Sequence, residues 1–245
     1  MYKSCAMLRV CVACAVILVS QGASAQTLDA PPVFDVGDKW TYRFHNIGDK
    51  REPYQYSNAI SAVDGTSAWI YGEDQRTNAQ PPKWVWRMDL KRYEFLERFD
   101  FDPAAKNGAG NRTINRKVDD SLPFPLSVGK KYSVKQNWDS GNGYTEYKAE
   151  VQAFEKVKVA AGEFDAFRIK YEGFWNQTVG GAYSGRAEFT RWYAPAVKND
   201  VRREFFDRQS RGEAWSRTAT ELVKWEPGNV ARVSATPAAA ASDTK

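Results

Sequence analysis

Alternation of apolar and polar residues runs along most of this sequence and predicts a succession of β-strands. Residues 39–45 alternate strictly, with Trp40, Tyr42 and Phe44 on one face and polar or charged side chains on the other. This pattern is typical of a half-buried antiparallel strand. Further extended segments are predicted at 54–63, 67–71, 83–88, 92–101, 131–138, 144–154, 157–171, 186–193, 201–207 and 213–225.

Helical periodicity is weak throughout the chain. No stretch keeps a helical period with end caps over more than about eleven residues. The fold class predicted from the pattern is therefore all-β, with little helix.

The segment 157–171 has the most complete hairpin pattern. An alternating arm leads to a small-residue turn that ends at Gly162, and a longer alternating arm follows. In the second arm Phe167, Ile169 and Tyr171 share one face, while Arg168, Lys170 and Glu172 share the other. We expect a β-hairpin that sets the register of the sheet around it.

A weak internal repeat accompanies the strand pattern. The sequence Val-Gly-Asp-Lys-Trp at 36–40 recurs as Val-Gly-Lys-Lys-Tyr at 128–132, a spacing of 92 residues. The segment 86–100 also resembles 192–207 at a spacing of about 106 residues. A duplicated β unit explains both correspondences, and chance similarity between hairpins is an equally acceptable explanation.

The N-terminus has the pattern of a secretory signal peptide at residues 1–25. Lys3 and Arg9 precede a ten-residue apolar run at 10–19, and the sequence Ala-Ser-Ala at 23–25 predicts cleavage after Ala25. A run of this length is too short to span a membrane. We therefore expect a periplasmic or secreted protein.

The rest of the chain is divided by composition. A polar lead-in at 26–32 precedes a β domain at 33–228, and an alanine-rich tail predicted to be disordered follows at 229–245. If the repeat is real, the domain contains units 33–101 and 125–228 joined by an irregular surface loop at 102–124.

All three cysteines, Cys5, Cys11 and Cys14, lie inside the predicted signal peptide. A rival interpretation makes Cys14 the lipid-modified first residue of a lipoprotein. It fits less well, because Cys11 stands three positions earlier where a large aliphatic residue is expected. With cleavage after Ala25 the mature chain has no cysteine, so it can form no disulfide.

Charge and apolar content exclude two classes of partner. Beyond the signal peptide there are 33 basic and 30 acidic residues, interspersed without a run of five like charges. This balance argues against nucleic-acid binding. No second apolar stretch has membrane length, so the mature protein is predicted not to span a membrane.

The chain offers no recognisable catalytic or metal-binding constellation. His45 is its only histidine and is predicted to lie on the polar face of a strand, which leaves too few ligands for a usual zinc or copper site. No Gly-x-Ser-x-Gly elbow is present. We predict no catalytic residues, no metal and no cofactor, although two carboxylates for glycoside chemistry could be hidden among the many acidic residues.

Aromatic residues are unusually frequent, with nine Trp, twelve Tyr and thirteen Phe. Such side chains can fill the core of a β fold, or they can bind sugars or acyl chains. Trp138 and Trp175 stand beside turn residues and are therefore candidates for an exposed or cavity-mouth role. Trp192 in the segment 191–195 is a third ligand-binding candidate.

One set of motifs resembles a known group of proteins. The pattern Val157-x-Val159-x-Ala161-Gly162-x-Phe164-x-Ala166-Phe167-x-Ile169, with Trp192-Tyr193-x-Pro195-x-Val197 and Gly37-x-x-Trp40-x-Tyr42, resembles uncharacterised bacterial periplasmic families of antiparallel β structure. Some of these families resemble the lipoprotein-carrier superfamily. The resemblance implies a curved antiparallel sheet that forms a half-barrel or open barrel and shelters acyl chains.

The export signal, the missing catalytic constellation and the excess of aromatic residues together suggest non-enzymatic binding or carriage of an apolar or amphiphilic envelope ligand, such as a lipid, on the concave aromatic face of the sheet. Two alternatives stay open at this point. One is binding or processing of an envelope glycan, and the other is a structural role with protein partners in an envelope complex.

Overall fold

A computed structural model describes residues 26–48, 50–75, 83–91, 93–101, 111–113, 122–138, 142–179, 183–209 and 214–228. The predicted signal peptide, the predicted tail and most of the predicted loop 102–124 lie outside the described residues.

The described residues form strands almost throughout, as the alternation predicts. The strands are β1 (Thr27–Leu28), β2 (Lys39–Asn46), β3 (Tyr54–Val63), β4 (Ser67–Asp74), β5 (Lys83–Asp89), β6 (Glu94–Phe101), β7 (Asn111–Thr113), β8 (Leu126–Ser127), β9 (Lys131–Asn137), β10 (Gly143–Val159), β11 (Gly162–Gln177), β12 (Tyr183–Ala194), β13 (Asn199–Gln209) and β14 (Ala214–Glu226). One short 3₁₀ turn, Pro195–Val197, joins β12 to β13.

Twelve of these strands form one antiparallel sheet in the order β7-β6-β5-β4-β3-β2-β14-β13-β12-β11-β10-β9, and β1 pairs with β8. The sheet is not closed into a barrel, since β7 and β9 are its edges. The predicted all-β, antiparallel fold class is confirmed. β14, the last strand, pairs with β2 near the start of the chain, so the two ends of the domain meet in the middle of the sheet.

The sheet curves strongly around one face. Tyr93 lies between β5 and β6, and Tyr193 lies on β12, which is six strands from β5 in the sheet order. In a flat sheet the two residues would be about 29 Å apart. Their ring centroids are only 6.0 Å apart. The enclosed face, called the inner face below, carries a single hydrophobic cluster with residues from both halves of the sheet, including Ile60, Ile70, Phe167 and Ile169.

The predicted hairpin at 157–171 is part of a longer one. β10 runs for 17 residues and shifts register between Val151 and Ala153, so the predicted segments 144–154 and 157–159 are one strand. A bulge of this kind inserts an extra residue and bends a strand without ending it. The tip of the hairpin also contacts β14, because Ala160 N–H donates to Glu221 Oε1 over 2.8 Å and Ala161 N–H donates to Leu222 O over 3.1 Å.

The two copies of the Val-Gly motif form the same turn. The glycine has a positive φ in both, 94° at Gly37 and 90° at Gly129. Its N–H donates to a strand carbonyl, to Ile60 O over 2.8 Å and to Val151 O over 2.7 Å. A register shift follows each acceptor residue. The division into units 33–101 and 125–228 remains a prediction, and this shared turn geometry is what favours it.

Two described parts of the segment 102–124 depart from the surface loop that the sequence predicts. Asn111–Thr113 forms β7 and pairs with β6. Leu122 is buried in the hydrophobic cluster. The end of the segment at Leu122 therefore belongs to the core, as is usual for a buried leucine.

Candidate ligand-binding groove

The outer face of β9–β12 contains a groove of about 680 Å³. Alternation along these strands directs charged side chains away from the inner face. The groove, called the outer groove below, is lined on this face mainly by Lys135, Glu146, Lys148, Glu172, Phe174, Arg186 and Glu188. Its volume lies within the range of about 300 to 1,000 Å³ that is usual for small-molecule sites.

Strand register fixes the arrangement of these side chains. Phe174 on β11 lies opposite Arg186 on β12, and Glu172 lies opposite Glu188. On the other side of β11, Lys148 of β10 lies opposite Glu172. Residues directly opposite one another share a face and have Cβ atoms about 5 Å apart, so these five side chains form one compact patch.

Some charges of this surface are neutralised internally. Lys135 Nζ lies 2.8 Å from Glu146 Oε1, and the hydrogen bond to Glu146 raises the pKa of Lys135. Lys170 donates to Glu172, and this hydrogen bond raises the pKa of Lys170. Among the described residues, Lys148, Arg186 and Glu188 form no ion pair, so they remain available to a ligand.

Phe174 gives the outer groove an apolar surface. Its side chain is 49% exposed and is surrounded by charged neighbours on the same face. A large apolar side chain next to unpaired charges is suited to an amphiphilic ligand, because the ligand's apolar and charged parts can each find a matching surface.

Two smaller depressions continue the outer groove along the same face. One of about 400 Å³ shares Ser133, Lys148 and Glu172 with it. The other, of about 310 Å³, lies across β12–β14 and shares Glu188. Depressions between outer-face side chains therefore extend beyond the outer groove.

Trp138 and Trp175, two of the predicted ligand-binding residues, lie together on the inner side of the sheet. Their ring centroids are 6.0 Å apart. Trp175 is only 5% exposed and donates to Asp207 Oδ1 over 2.6 Å, while Trp138 donates to Thr145 Oγ1 over 3.0 Å. Trp175 is therefore not exposed, because its ring covers the space above Gly185, where a Cβ would come within 2.5 Å of it; its predicted role at a cavity mouth remains a prediction.

Trp192, the third candidate, lies apart from this pair on the outer face. Its indole N–H donates to Glu155 Oε1 over 2.9 Å, and the Arg202 guanidinium stands 5.0 Å from the ring centroid. The ring is half-buried between these groups and does not line the outer groove. Whether any of the three tryptophans binds a ligand remains a prediction.

The aromatic inner face is packed rather than open. Among the described residues it encloses a cavity of about 40 Å³, lined by Tyr42, Tyr56, Trp86 and Tyr93 among others. A polar cavity of this size holds a few water molecules at most. The expectation that a ligand lies on a concave aromatic face therefore does not hold for the described residues, because aromatic side chains fill that space themselves.

Two buried charge clusters adjoin the 3₁₀ turn between β12 and β13. Asp200 accepts hydrogen bonds from Arg191 Nε over 2.9 Å and from Arg203. Burial by itself raises the pKa of Asp200, but the two guanidinium groups outweigh it and hold that pKa below its ordinary range. In the second cluster Lys198 Nζ lies 2.7 Å from the buried carboxylate of Asp38. The first cluster joins β12 to β13, and the second joins the residue after the 3₁₀ turn to the residue before β2. Both clusters are therefore explained as structural features.

Within the described residues no group of three or more His, Cys, Asp or Glu side chains is placed to hold a metal ion. Over the same residues no helix has the length and apolar character to cross a membrane.

Sequence reasoning missed the outer groove, although one signal was present. Along β11 the polar face contains Arg168, Lys170 and Glu172, and the next position on that face is Phe174. An aromatic residue at a position that alternation assigns to solvent is an informative exception. The concavity around it could not be seen, because it depends on how four strands twist together.

No family model and no curated protein matches the sequence. Among solved structures, the chain is similar to a protein from Bacteroides fragilis described as exported with a YmcC-like fold, at 13% identity and a TM-score of 0.44, over 81% of this chain and 100% of that one. It is similar to a protein from Parabacteroides distasonis described as a lipoprotein, at 14% identity and a TM-score of 0.42, over 80% and 97% of the two chains.

A third solved structure, the hypothetical lipoprotein YmcC from Escherichia coli, matches at 10% identity and a TM-score of 0.37, over 78% of this chain and 85% of that chain. These are uncharacterised proteins of the kind that the sequence motifs resemble. Likenesses at this level concern the fold alone.

Proposed function

We propose that this protein is an exported, non-enzymatic binding or carrier protein that holds an amphiphilic envelope ligand in the outer groove. The observation that carries the proposal is Phe174, half-exposed in a groove of about 680 Å³ next to Lys148 and Arg186. An alkyl chain that covers the exposed Phe174 ring removes apolar surface from water, which favours binding. An anionic headgroup can form charge-assisted hydrogen bonds with Lys148 and Arg186.

The proposal can be tested with the fluorescent amphiphile 11-(dansylamino)undecanoic acid. The purified protein is expected to bind it and to increase its emission. Phe174→Ser is expected to weaken binding about tenfold or more, because covering a phenylalanine side chain contributes about 1.5 to 3 kcal/mol. The dissociation constants of the two proteins are compared by titration.

Tyr183→Ser is the matched control, since Tyr183 is also 49% exposed but does not line the outer groove. Its affinity for the probe should equal that of the unaltered protein. Absence of binding, or an equal loss in the Phe174 and Tyr183 variants, would overturn the proposal.

The two other functions considered from the sequence remain predictions. Binding or processing of a glycan is favoured by one observation, the cross-strand pair Glu172 and Glu188, because two neighbouring carboxylates in a groove are the minimum for glycoside chemistry.

A further inference from the structure

One end of the sheet carries no charge among the residues that the structure describes. The last residues of β9 and β11 meet the first residues of β10 and β12 there. The described residues at this end, called the uncharged end below, are 137–138, 142–145, 175–179 and 183–185, and none of them is acidic or basic. Along the rest of these four strands, charged side chains occupy most positions of the outer face.

Val179 and Tyr183 expose apolar surface at the uncharged end. Val179 follows β11 and is 61% exposed, and Tyr183 begins β12 and is 49% exposed. Covering such side chains with an apolar partner removes their surface from water, which favours association. Exposed apolar side chains that lie together on a surface mark it as a contact site.

The aromatic residues of the uncharged end combine an apolar ring with a polar group. Trp138 and Tyr144 are half-buried there, and Tyr183 adds a third such ring. Lys135 Nζ lies 4.3 Å from the centroid of the Tyr144 ring. Trp and Tyr are enriched where a membrane meets water, because the ring fits the apolar side of that boundary and the polar group fits the wet side.

A cation follows one level further along the strands. Arg186 is exposed and stands three residues after Tyr183 on β12, about 10 Å along the strand. Arg186 forms no ion pair among the described residues. The headgroup layer on each side of a bilayer is roughly 5 to 7 Å thick, so Arg186 would lie beside the headgroups if Tyr183 lay at their inner boundary.

We propose that the uncharged end docks on the surface of a lipid bilayer, with Val179 and Tyr183 at the boundary between headgroups and acyl chains and Arg186 beside anionic headgroups. Polarity here increases in one direction, along the strands, as it does along the normal of a bilayer. A protein interface has a different pattern, in which a polar rim surrounds an apolar centre. The proposal does not depend on a ligand in the outer groove.

Sedimentation with sucrose-loaded vesicles tests the docking surface. The purified mature protein is expected to bind vesicles made of equal parts of phosphatidylcholine and phosphatidylglycerol. The double variant Val179→Ser, Tyr183→Ser is expected to bind them about tenfold more weakly or worse, because two apolar contacts with the lipid are lost. The partition coefficients of the two proteins are compared over a range of lipid concentrations.

Arg186→Gln tests the charge contribution on the same vesicles. Binding is expected to weaken about fivefold, the size expected for one cation near an anionic lipid surface. On vesicles of phosphatidylcholine alone the same variant should bind as the unaltered protein does.

Two variants serve as controls for the position of the contact. Val63→Ser changes an exposed valine at the end of β3, which lies at the opposite end of the strands, and it should leave vesicle binding unchanged. Phe174→Ser should also preserve it, because Phe174 lies at the level of Arg186, outside the acyl layer. The double variant should keep the urea midpoint of the unaltered protein, since both of its changes are at exposed positions.

A fluorescent label gives a second measurement that identifies the part of the protein in contact with lipid. Residues 26–245 contain no cysteine, so Val179→Cys can be labelled at a single site with an environment-sensitive dye. Its emission is expected to shift to the blue when vesicles are added. The same dye on Val63→Cys should show no shift.

Absence of vesicle binding, or an equal loss in the double variant and in Val63→Ser or Phe174→Ser, would overturn the proposal. A dimer in sedimentation velocity that the double variant dissociates, without vesicle binding, would overturn it too and would assign the surface to a second copy of the chain. The proposed function is tested separately by the dansylated fatty acid, which the double variant should bind as the unaltered protein does.

Discussion

Asp200 shows how single residues determine the stability of this fold. Its side chain is fully buried, and burial of an isolated carboxylate is strongly unfavourable. Arg191 and Arg203 supply the compensating charge and hydrogen bonds. The backbone carbonyl of Asp200 also accepts a hydrogen bond from Tyr42 Oη over 3.0 Å, so this residue connects β13 to β2 across the inner face.

Asp200→Asn is expected to lower the free energy of unfolding by about 3 to 5 kcal/mol at pH 7, because it takes the Asp200 carboxylate away from the buried guanidinium of Arg191 and the partly exposed guanidinium of Arg203. The folded-state pKa of Asp200 lies below its ordinary value. Its stabilising effect is therefore complete above the unfolded pKa of about 4 and is lost as the pH falls through the folded pKa. Urea unfolding at pH 7 and at successively lower pH measures both effects.

The difference in stability between Asp200→Asn and the unaltered protein should shrink as the pH falls below about 4. A difference that stayed constant down to the acid-unfolding range would contradict this account. The exposed Asp165→Asn serves as the control and should change stability little at any pH.

At the scale of elements, the turns before β2 and β9 set where these strands begin. Both depend on a glycine with φ near 90°, a conformation that costs other residues about 1 to 2 kcal/mol. The glycine N–H then bonds to β3 in one case and to β10 in the other. A local sequence motif thus fixes a long-range strand pairing in each half of the sheet.

Gly129→Ala is expected to destabilise the protein by about 1 to 2 kcal/mol through the backbone alone, because a Cβ at this position would meet no atom within 4 Å. Gly37→Ala should cost a similar amount, because Gly37 has nearly the same positive φ. Urea midpoints followed by circular dichroism measure the change. Val128→Ala, at an exposed neighbouring position, should be nearly neutral, and a loss in that variant equal to the loss in Gly129→Ala would contradict the backbone explanation.

For the whole molecule, one hydrophobic cluster spans both predicted units. It contains Trp40 and Ile60 from 33–101 together with Phe167 and Leu222 from 125–228. Trp40 Nε1 also donates to Val197 O over 2.7 Å. Two segments that share one core are expected to unfold together, whether or not they arose by duplication.

A single unfolding transition is therefore expected when tryptophan fluorescence and far-ultraviolet circular dichroism are followed in urea. Leu222→Ala removes a fully buried side chain of β14 and should shift both signals equally, by about 2 to 5 kcal/mol. Two separated transitions, or a shift in only one signal, would contradict a common core and favour independent units.

Period-two alternation and turn residues by themselves determined that this chain is all-β, with strands close to their predicted bounds at 39–45, 54–63 and 83–88. These features are local, because a side chain's face depends only on its neighbours along the strand. Alternation also assigned Phe174 to the polar face, yet nothing in the sequence indicated that this face is concave.

Only the tertiary structure decided which strands meet and which face holds a groove. The β14–β2 pairing and the contact between Tyr93 and Tyr193 bring together residues that are distant along the chain. The resulting curvature closes the aromatic face on itself and leaves a groove on the charged face. Curvature of this kind arises from twist and bulges summed over many strands, which is why the sequence predicted the fold class but did not predict the outer groove.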